Sequence, residues 1–291
     1  MAGKIDRTLI AVRRQLEAMN APLYEVGLYD RANDRMLPRT WTAEQVLKSI
    51  SWLKSMNIKG NDIFIRPAGS MGLVFFDDVG QGTVDRMKKA GLAPAVLIES
   101  SPSNYHGWLR VSDSPIDEAL ATAACKVVAA DYGGDVDSAD WRHFGRLAGF
   151  TTRKPEHVQP DGKRPFVLLS ESSRGLALGS IRLLDSAAVE LDKRRREAEE
   201  RRKAAANRSP NTSGVPAADI YQASLQRLSE RYGSSMDCSR VDWMIVNDLI
   251  SRGYSRDAIE AAMFEFSPAL ASRKSHENNY IQTTLDKAFG V

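Results

Sequence analysis

Cysteine is nearly absent: the 291 residues contain only Cys125 and Cys238, far apart in the chain. Two distant thiols cannot build a disulfide framework or a zinc cluster, so neither holds this fold, no zinc is expected, and a reducing cytoplasm suits the chain. Long apolar runs are also lacking. None approaches the roughly 20 residues that span a bilayer, so no membrane association is expected. The N-terminal "MAGKIDRTLIAVRRQL" is amphipathic and has no apolar core of the secretory kind. There is no internal repeat, no G-x-x-x-x-G-K-[ST], no H-E-x-x-H and no G-x-S-x-G, which removes P-loop, zincin and nucleophile-elbow chemistry. "GLALGS" is rich in glycine but lacks the strand–turn–helix setting of a dinucleotide fingerprint. Strong charge imbalance is missing too: a net charge of +3 permits nucleic acid as a partner but leaves any binding to local patches.

What is present is ordinary for a soluble globular protein, with 43% hydrophobic and 26% charged residues. Residues 1–184 alternate helical and strand-like patterns. "DRTLIAVRRQLEAM" has helical periodicity with Asp6 placed to cap it. "TAEQVLKSISWLKSMN" predicts a second helix capped by Thr42, and "TVDRMKKAGL" a third, ending at Gly91. "IDEALATAACKVVAADYG" predicts another, stopped by Gly133 and Gly134. "LYEVGLYD", "NDIFIRP", "MGLVFF", "APAVLIES", "NYHGWLRV" and "FVLLSES" read as strands. "AGS" and "SPS" are short enough to make hairpins of the second with the third and of the fourth with the fifth. Short links of this kind predict a mostly antiparallel sheet with helices, an α+β domain.

The character changes at about residue 185. Residues 185–208 form a charged helix in which Lys193 to Lys203 holds seven basic and three acidic residues. The turn-forming "SPNTSGVPA" follows, and residues 209–291 read as a small all-α bundle, with Asp219 and Ser255 as cap candidates. No long apolar seam is left over, so a monomer is expected.

Three places carry candidate chemistry. "GLVFFDDVG" runs an apolar strand into adjacent acids, Asp77 and Asp78. Like charges so placed repel, and partial burial increases the repulsion. A solvated turn tolerates them, and so does a hard divalent cation bound between them. Neighbours on a regular strand point to opposite faces, so both reach one site only if the strand ends near Asp77 and the chain turns. Asp135, Asp137 and Asp140 form a second acidic cluster. A pair of divalent ions held by such carboxylates can activate a hydroxyl and clamp a leaving phosphate. "ESSPSNYHGWLRV" offers His106, early in a strand, as a donor to phosphate oxygens. "DSADWRHFGRLAGFTTRKP" interleaves Arg142, Arg146, Arg153 and Lys154 with Trp141 and Phe144, a composition suited to polyphosphate or single-stranded nucleic acid. The basic helix, Arg194 included, offers a further nucleic-acid contact.

The order "FFDD", "ESSPSNYHGWL", "DVDSADWRHFGRLAGFTTRK" resembles the motif series of the archaeo-eukaryotic primase superfamily. With "DRTL", "WLKSMNIKGNDIFIRP", "SRGYSRDAI" and "SPALASRK", the chain resembles more closely the RepB-type plasmid primases, also found fused to mobilisation relaxases, from about residue 6 to its end. The resemblance implies a catalytic domain related to the RNA-recognition fold, a connecting helix and an accessory helical bundle. It implies synthesis of primers on single-stranded DNA from nucleoside triphosphates, with two Mg²⁺ or Mn²⁺ ions, at the start of plasmid replication, in company with other plasmid replication proteins. Asp77 and Asp78 match the first-motif acids and Asp135 the third, with Asp140 its nearest rival. His106 matches the second-motif histidine beside the triphosphate, and Arg146, Arg153 and Lys154 fall in a segment similar to the superfamily's R-L-P-G-x-x-N-x-K pattern. Ser101 and Arg66 are implied phosphate or template contacts. The competing expectation is a non-catalytic single-stranded DNA-binding adaptor, which would leave the acids idle.

Overall fold

The computed structural model describes residues 5–136, 138–206, 213–233, 236–273 and 276–290. They form two compact units that divide between Leu191 and Asp192.

The first unit opens with α1 (Arg7–Met19), whose N-terminus is capped by Asp6 Oδ1 accepting from Leu9 N at 3.2 Å. The predicted second helix is two, α2 (Ala43–Lys48) and α3 (Ile50–Ile58), joined at Ser49. Thr42 and Gln45 cap α2 reciprocally, each side chain bonded to the other's backbone N–H. α4 (Gln81–Lys89) and α5 (Glu118–Tyr132) follow the predicted segments, and α5 stops at Gly133 in the left-handed region.

Among the described residues, eight strands make two antiparallel sheets where one was expected. The first has the order β2-β1-β3-β7, from β1 (Tyr24–Asp30), β2 (Arg35–Trp41), β3 (Asn61–Pro67) and β7 (Gly145–Arg146). The second has the order β4-β6-β5-β8, from β4 (Leu73–Val79), β5 (Val96–Ser101), β6 (Asn104–Arg110) and β8 (Leu168–Ser172). The predicted β5–β6 hairpin is present. The predicted hairpin of "NDIFIRP" with "MGLVFF" is not: β3 and β4 lie in different sheets. The chain between them is held by the segment after β6, Val111 N donating to Gly72 O at 2.8 Å and Ile116 N to Ser70 O at 3.3 Å. β2 has no counterpart in the sequence reading. It carries Pro38, which an edge strand tolerates, and no buried residue. One face of the first sheet presents Val26, Leu28, Ile63 and Ile65 to the core. The alternate residues, among them Tyr29, Phe64 and Arg66, face the cavity described below.

α6 (Ser180–Ala206) crosses the division between the units. The second unit contains α7 (Ala217–Tyr232), α8 (Cys238–Ser251), α9 (Arg256–Phe266) and α10 (Glu277–Phe289) around Tyr221, Val246, Leu249, Met263, Ile281 and Leu285. Ser255 caps α9 as predicted. Asp219 does not cap α7; it lies in the first turn, where its charge suits the helix dipole, and Pro216 holds the cap position. Inside this unit the buried Asp242 accepts three hydroxyls, Tyr221 and Ser267 at 2.5 Å and Tyr280 at 2.8 Å. No helix among the described residues is long and apolar enough to cross a membrane.

Candidate active site

The two adjacent acids face one site through a β-bulge. β4 does not end at Asp77. Phe76 pairs with Gly107 and Val79 with Tyr105, so Asp77 and Asp78 together oppose one residue of β6, His106. Two residues against one re-aim the strand. Asp78 absorbs the irregularity with φ +59°, one of four non-glycine residues with positive φ among the described residues. Asp78 N donates to Asp77 Oδ1 at 2.8 Å, and Asn104 Nδ2 donates to Asp78 Oδ1 at 2.8 Å.

The loop after α5 brings in the second acidic cluster. Asp135 N donates to the main-chain oxygen of Asp77 at 3.1 Å, which fixes the third acid to the backbone of the first. Gly134 permits this approach, since a Cβ there would lie 2.8 Å from the same Asp77 oxygen. Ser138 Oγ donates to Asp135 Oδ2 at 2.6 Å, and Asp140 Oδ1 accepts from Arg142 N at 2.5 Å. Asp137 lies outside the described residues. Asp77, Asp78, Asp135 and Asp140 all line one open cavity of about 730 Å³. Burial pushes the Asp77 carboxyl above its ordinary value, and the charges of Asp78 and Asp135 push it further. Among the described residues no three His, Cys, Asp or Glu side chains form a ready-made metal cage. The donor set still fits a hard divalent cation. Every donor is a carboxylate oxygen, and a cation would relieve the crowding that strains Asp77.

His106 lines the same cavity but is only 2% exposed. Its Nε2 accepts from Arg146 N at 2.9 Å, so the neutral ring carries its proton on Nδ1. Burial, with the Arg146 charge second, pulls its pKa to about 3. His106 therefore enters the site as a neutral one-proton donor. It also ties β6 to β7, which positions Arg146.

The cationic wall lies on the first sheet and β7. Arg146 Nη1 donates to Asp62 Oδ1 at 2.5 Å, with its guanidinium 5.1 Å from the centre of the Phe64 ring. Arg66 pairs with Glu25, donates to the Arg142 carbonyl and stacks on Phe144 at 4.3 Å. Arg142 and Lys154 complete the lining on this side. Four predicted residues do not line the cavity. Ser101 gives its place to Ser100, as alternation along β5 requires. Arg153 contributes its backbone N to Asp62 at 2.8 Å, and its half-buried guanidinium does not join the lining. Trp141 is half-buried outside the lining, and Arg194 is exposed on α6 in the second unit. Sequence reasoning missed Tyr29, Arg31, Asp62 and Phe64. The alternation of "NDIFIRP" carried a signal for two of them, since Asp62, Phe64 and Arg66 fall on the face opposite the isoleucines.

A family model described as RepB DNA-primase N-terminal domain matches residues 10–194, and one described as RepB DNA-primase C-terminal helical domain matches residues 236–288. Mobilization protein A of Escherichia coli is 40% identical over 99% of this chain, which spans 41% of that protein's length. A DNA primase of Acidithiobacillus ferrooxidans is 26% identical over 88% of this chain and 75% of its own. The crystal structure of primase RepB′ is 39% identical and covers 98% of this chain and 95% of its own, with a TM-score of 0.63. The catalytic domain of primase RepB′ in complex with initiator DNA covers 66% of this chain and 98% of its own, at 40% identity and a TM-score of 0.61. Both family domains occur here in order, and the chain belongs to the RepB DNA-primase family.

Proposed function

We propose that this chain starts plasmid replication by synthesising primers on single-stranded DNA from nucleoside triphosphates, with two Mg²⁺ or Mn²⁺ ions held by Asp77, Asp78 and Asp135. One observation carries the reading: a bulge and a backbone hydrogen bond gather three carboxylates into a cavity whose other walls present Arg66, Arg142, Arg146 and Lys154. Carboxylates facing cations would bind neither DNA nor phosphate alone with much economy. Together they suit a metal–triphosphate complex. Divalent ions bound there would lower the pKa of a primer hydroxyl and neutralise the departing pyrophosphate.

The chain's own residues divide the remaining work. Asp77 and Asp78 present their oxygens from a backbone locked by the bulge. Asp135 follows the Asp77 backbone, and Asp140, in the same cavity, is the alternative third ligand. Arg146 and Lys154 offset triphosphate charge, and His106 offers its Nδ1 proton to a phosphate oxygen. Arg66, Arg142 and the aromatic rings beside them suit template phosphates and bases. α6 serves as connector between a catalytic domain and an accessory bundle, and Arg194 on it suits further DNA contact. The solved complex of a relative with initiator DNA supports a DNA partner for the catalytic domain.

The test is incorporation of labelled nucleotides on a single-stranded circle carrying the cognate plasmid origin, with Mg²⁺ or Mn²⁺. The reading expects a metal-dependent product that is lost in Asp77→Ala. DNA binding without metal and without incorporation would replace it with the adaptor.

A further inference from the structure

Asp62, in the strand "NDIFIRP", has no role among those assigned above, yet three donor groups converge on it. It is fully buried on β3. Its Oδ1 accepts from Arg146 Nη1 at 2.5 Å and from Arg153 N at 2.8 Å, and its Oδ2 accepts from Arg31 Nε at 2.5 Å. Arg31 comes from the β1–β2 turn and Arg146 from β7, so one carboxylate joins two guanidinium groups from opposite sides of β3.

The arrangement leaves both arginines available. A guanidinium has five N–H donors in a fixed fork. Asp62 takes one from each, and no other acceptor is hydrogen-bonded to either guanidinium among the described residues. Ring faces set their planes: Arg31 lies 5.2 Å from the Tyr29 ring centre, and Arg146 lies 5.1 Å from that of Phe64. Both arginines line the cavity that holds Asp77 and Asp78. The cluster keeps one net positive charge. Holding a buried and a half-buried arginine on one buried carboxylate gains little stability over apolar packing. What it supplies is orientation, and a fixed guanidinium pair matches phosphate oxygens.

We infer that Asp62 is the positioning residue of a two-arginine phosphate clamp, and that Arg31 is the clamp's second arm. The inference rests on the nucleotidyl-transfer reading of the cavity. The phosphate it takes belongs either to the incoming triphosphate or to the template backbone, and the test separates the two.

The full chain and its variants Arg31→Gln, Asp62→Asn and the double variant are titrated with two probes, a fluorescent ATP analogue with Mg²⁺ and a labelled oligothymidylate. Circular dichroism melts monitor folding. Arg31→Gln is expected to weaken one probe about tenfold or more, the loss of a charge-assisted phosphate contact. Asp62→Asn is expected to weaken the same probe, and the double variant to add less than about threefold, because Asp62 acts through the arginines. In primer synthesis Asp62→Asn is expected to raise KM for that ligand with kcat within about threefold, a split that mere loss of folded protein does not give. A folded Asp62→Asn that binds both probes like wild type overturns the inference and leaves the nucleotidyl-transfer reading standing, as does an additive double variant. If Asp62→Asn does not fold, Arg31→Gln decides alone, and unchanged binding of both probes overturns the clamp. Wild type that binds no triphosphate at all overturns the nucleotidyl-transfer reading and the clamp with it.

Discussion

Gly134 gives the sharpest test of how the third acid is placed. An alanine Cβ there would sit 2.8 Å from the Asp77 main-chain oxygen, while its next neighbours, Val79 Cγ1 at 3.6 Å and Ala129 Cα at 3.7 Å, are at ordinary contact distance. The clash therefore falls on one atom, and that atom accepts the Asp135 N–H bond. The chain must part at this bond, which moves Asp135 away from Asp77 and Asp78. Overpacking of this kind costs about 1–3 kcal/mol, equivalent to about 2–4 °C of melting temperature per kcal/mol in a unit of this size. A misplacement of ~1 Å costs about a hundredfold in rate, so a shift of a few tenths is expected to cost roughly three- to tenfold in primer synthesis. Gly133 is the control. It has φ +70° and nothing within 4 Å of a built Cβ, so alanine there strains the backbone by about 1–2 kcal/mol without crowding the acids. Both variants are expected to melt earlier, and only Gly134→Ala to lose activity beyond its loss of folded protein. Full activity in Gly134→Ala, or equal loss in Gly133→Ala, would show that the Asp135–Asp77 backbone bond does not place the third acid.

Other outcomes follow from the same geometry. Because burial and its neighbours push the Asp77 carboxyl up, Asp77→Asn is expected to melt higher than wild type in chelator, to lose synthesis, and to lose most of the thermal stabilisation that Mg²⁺ gives wild type. His106 titrates near 3 when folded against an ordinary 6.5. The unfolded chain then binds more protons between those values, so this group's stability is present above 6.5 and lost as pH falls. Between pH 7 and 5 the loss is about 2 kcal/mol, absent in His106→Gln, as urea titrations at the two pH values would measure. In the second unit, Asp242→Asn breaks a buried carboxylate that accepts three hydroxyls. A loss of about 1–3 kcal/mol is expected, seen as faster hydrogen exchange in α7–α10.

Local chemistry was legible in the sequence where it acts within a few residues. Asp6, Thr42 and Ser255 cap the helices they precede, Gly133 ends α5, and "SPS" closes the β5–β6 hairpin. Long-range pairing was not. "AGS" looks like a hairpin turn, but the bonds from Val111 and Ile116 that send β4 into another sheet come from residues far along the chain. β2 was hidden because an edge strand with Pro38 and little burial has no apolar alternation to betray it. The acids Asp77 and Asp78 stood out by charge, yet the device that unites them is a bulge opposite His106, visible only in the pairing register. Asp62 read as one polar residue at a strand start. Its partners, Arg31 and Arg146, converge only through tertiary structure.

On this reading the bulge acids and Asp135 form one cation site that works with a triphosphate. The decisive measurement counts Mn²⁺ bound to the full chain by electron paramagnetic resonance, with a non-hydrolysable nucleoside triphosphate present. Two ions per chain are expected with nucleotide in wild type, with loss of that binding in Asp77→Asn/Asp78→Asn while the protein remains folded. Equal Mn²⁺ binding by wild type and the folded double variant would contradict it.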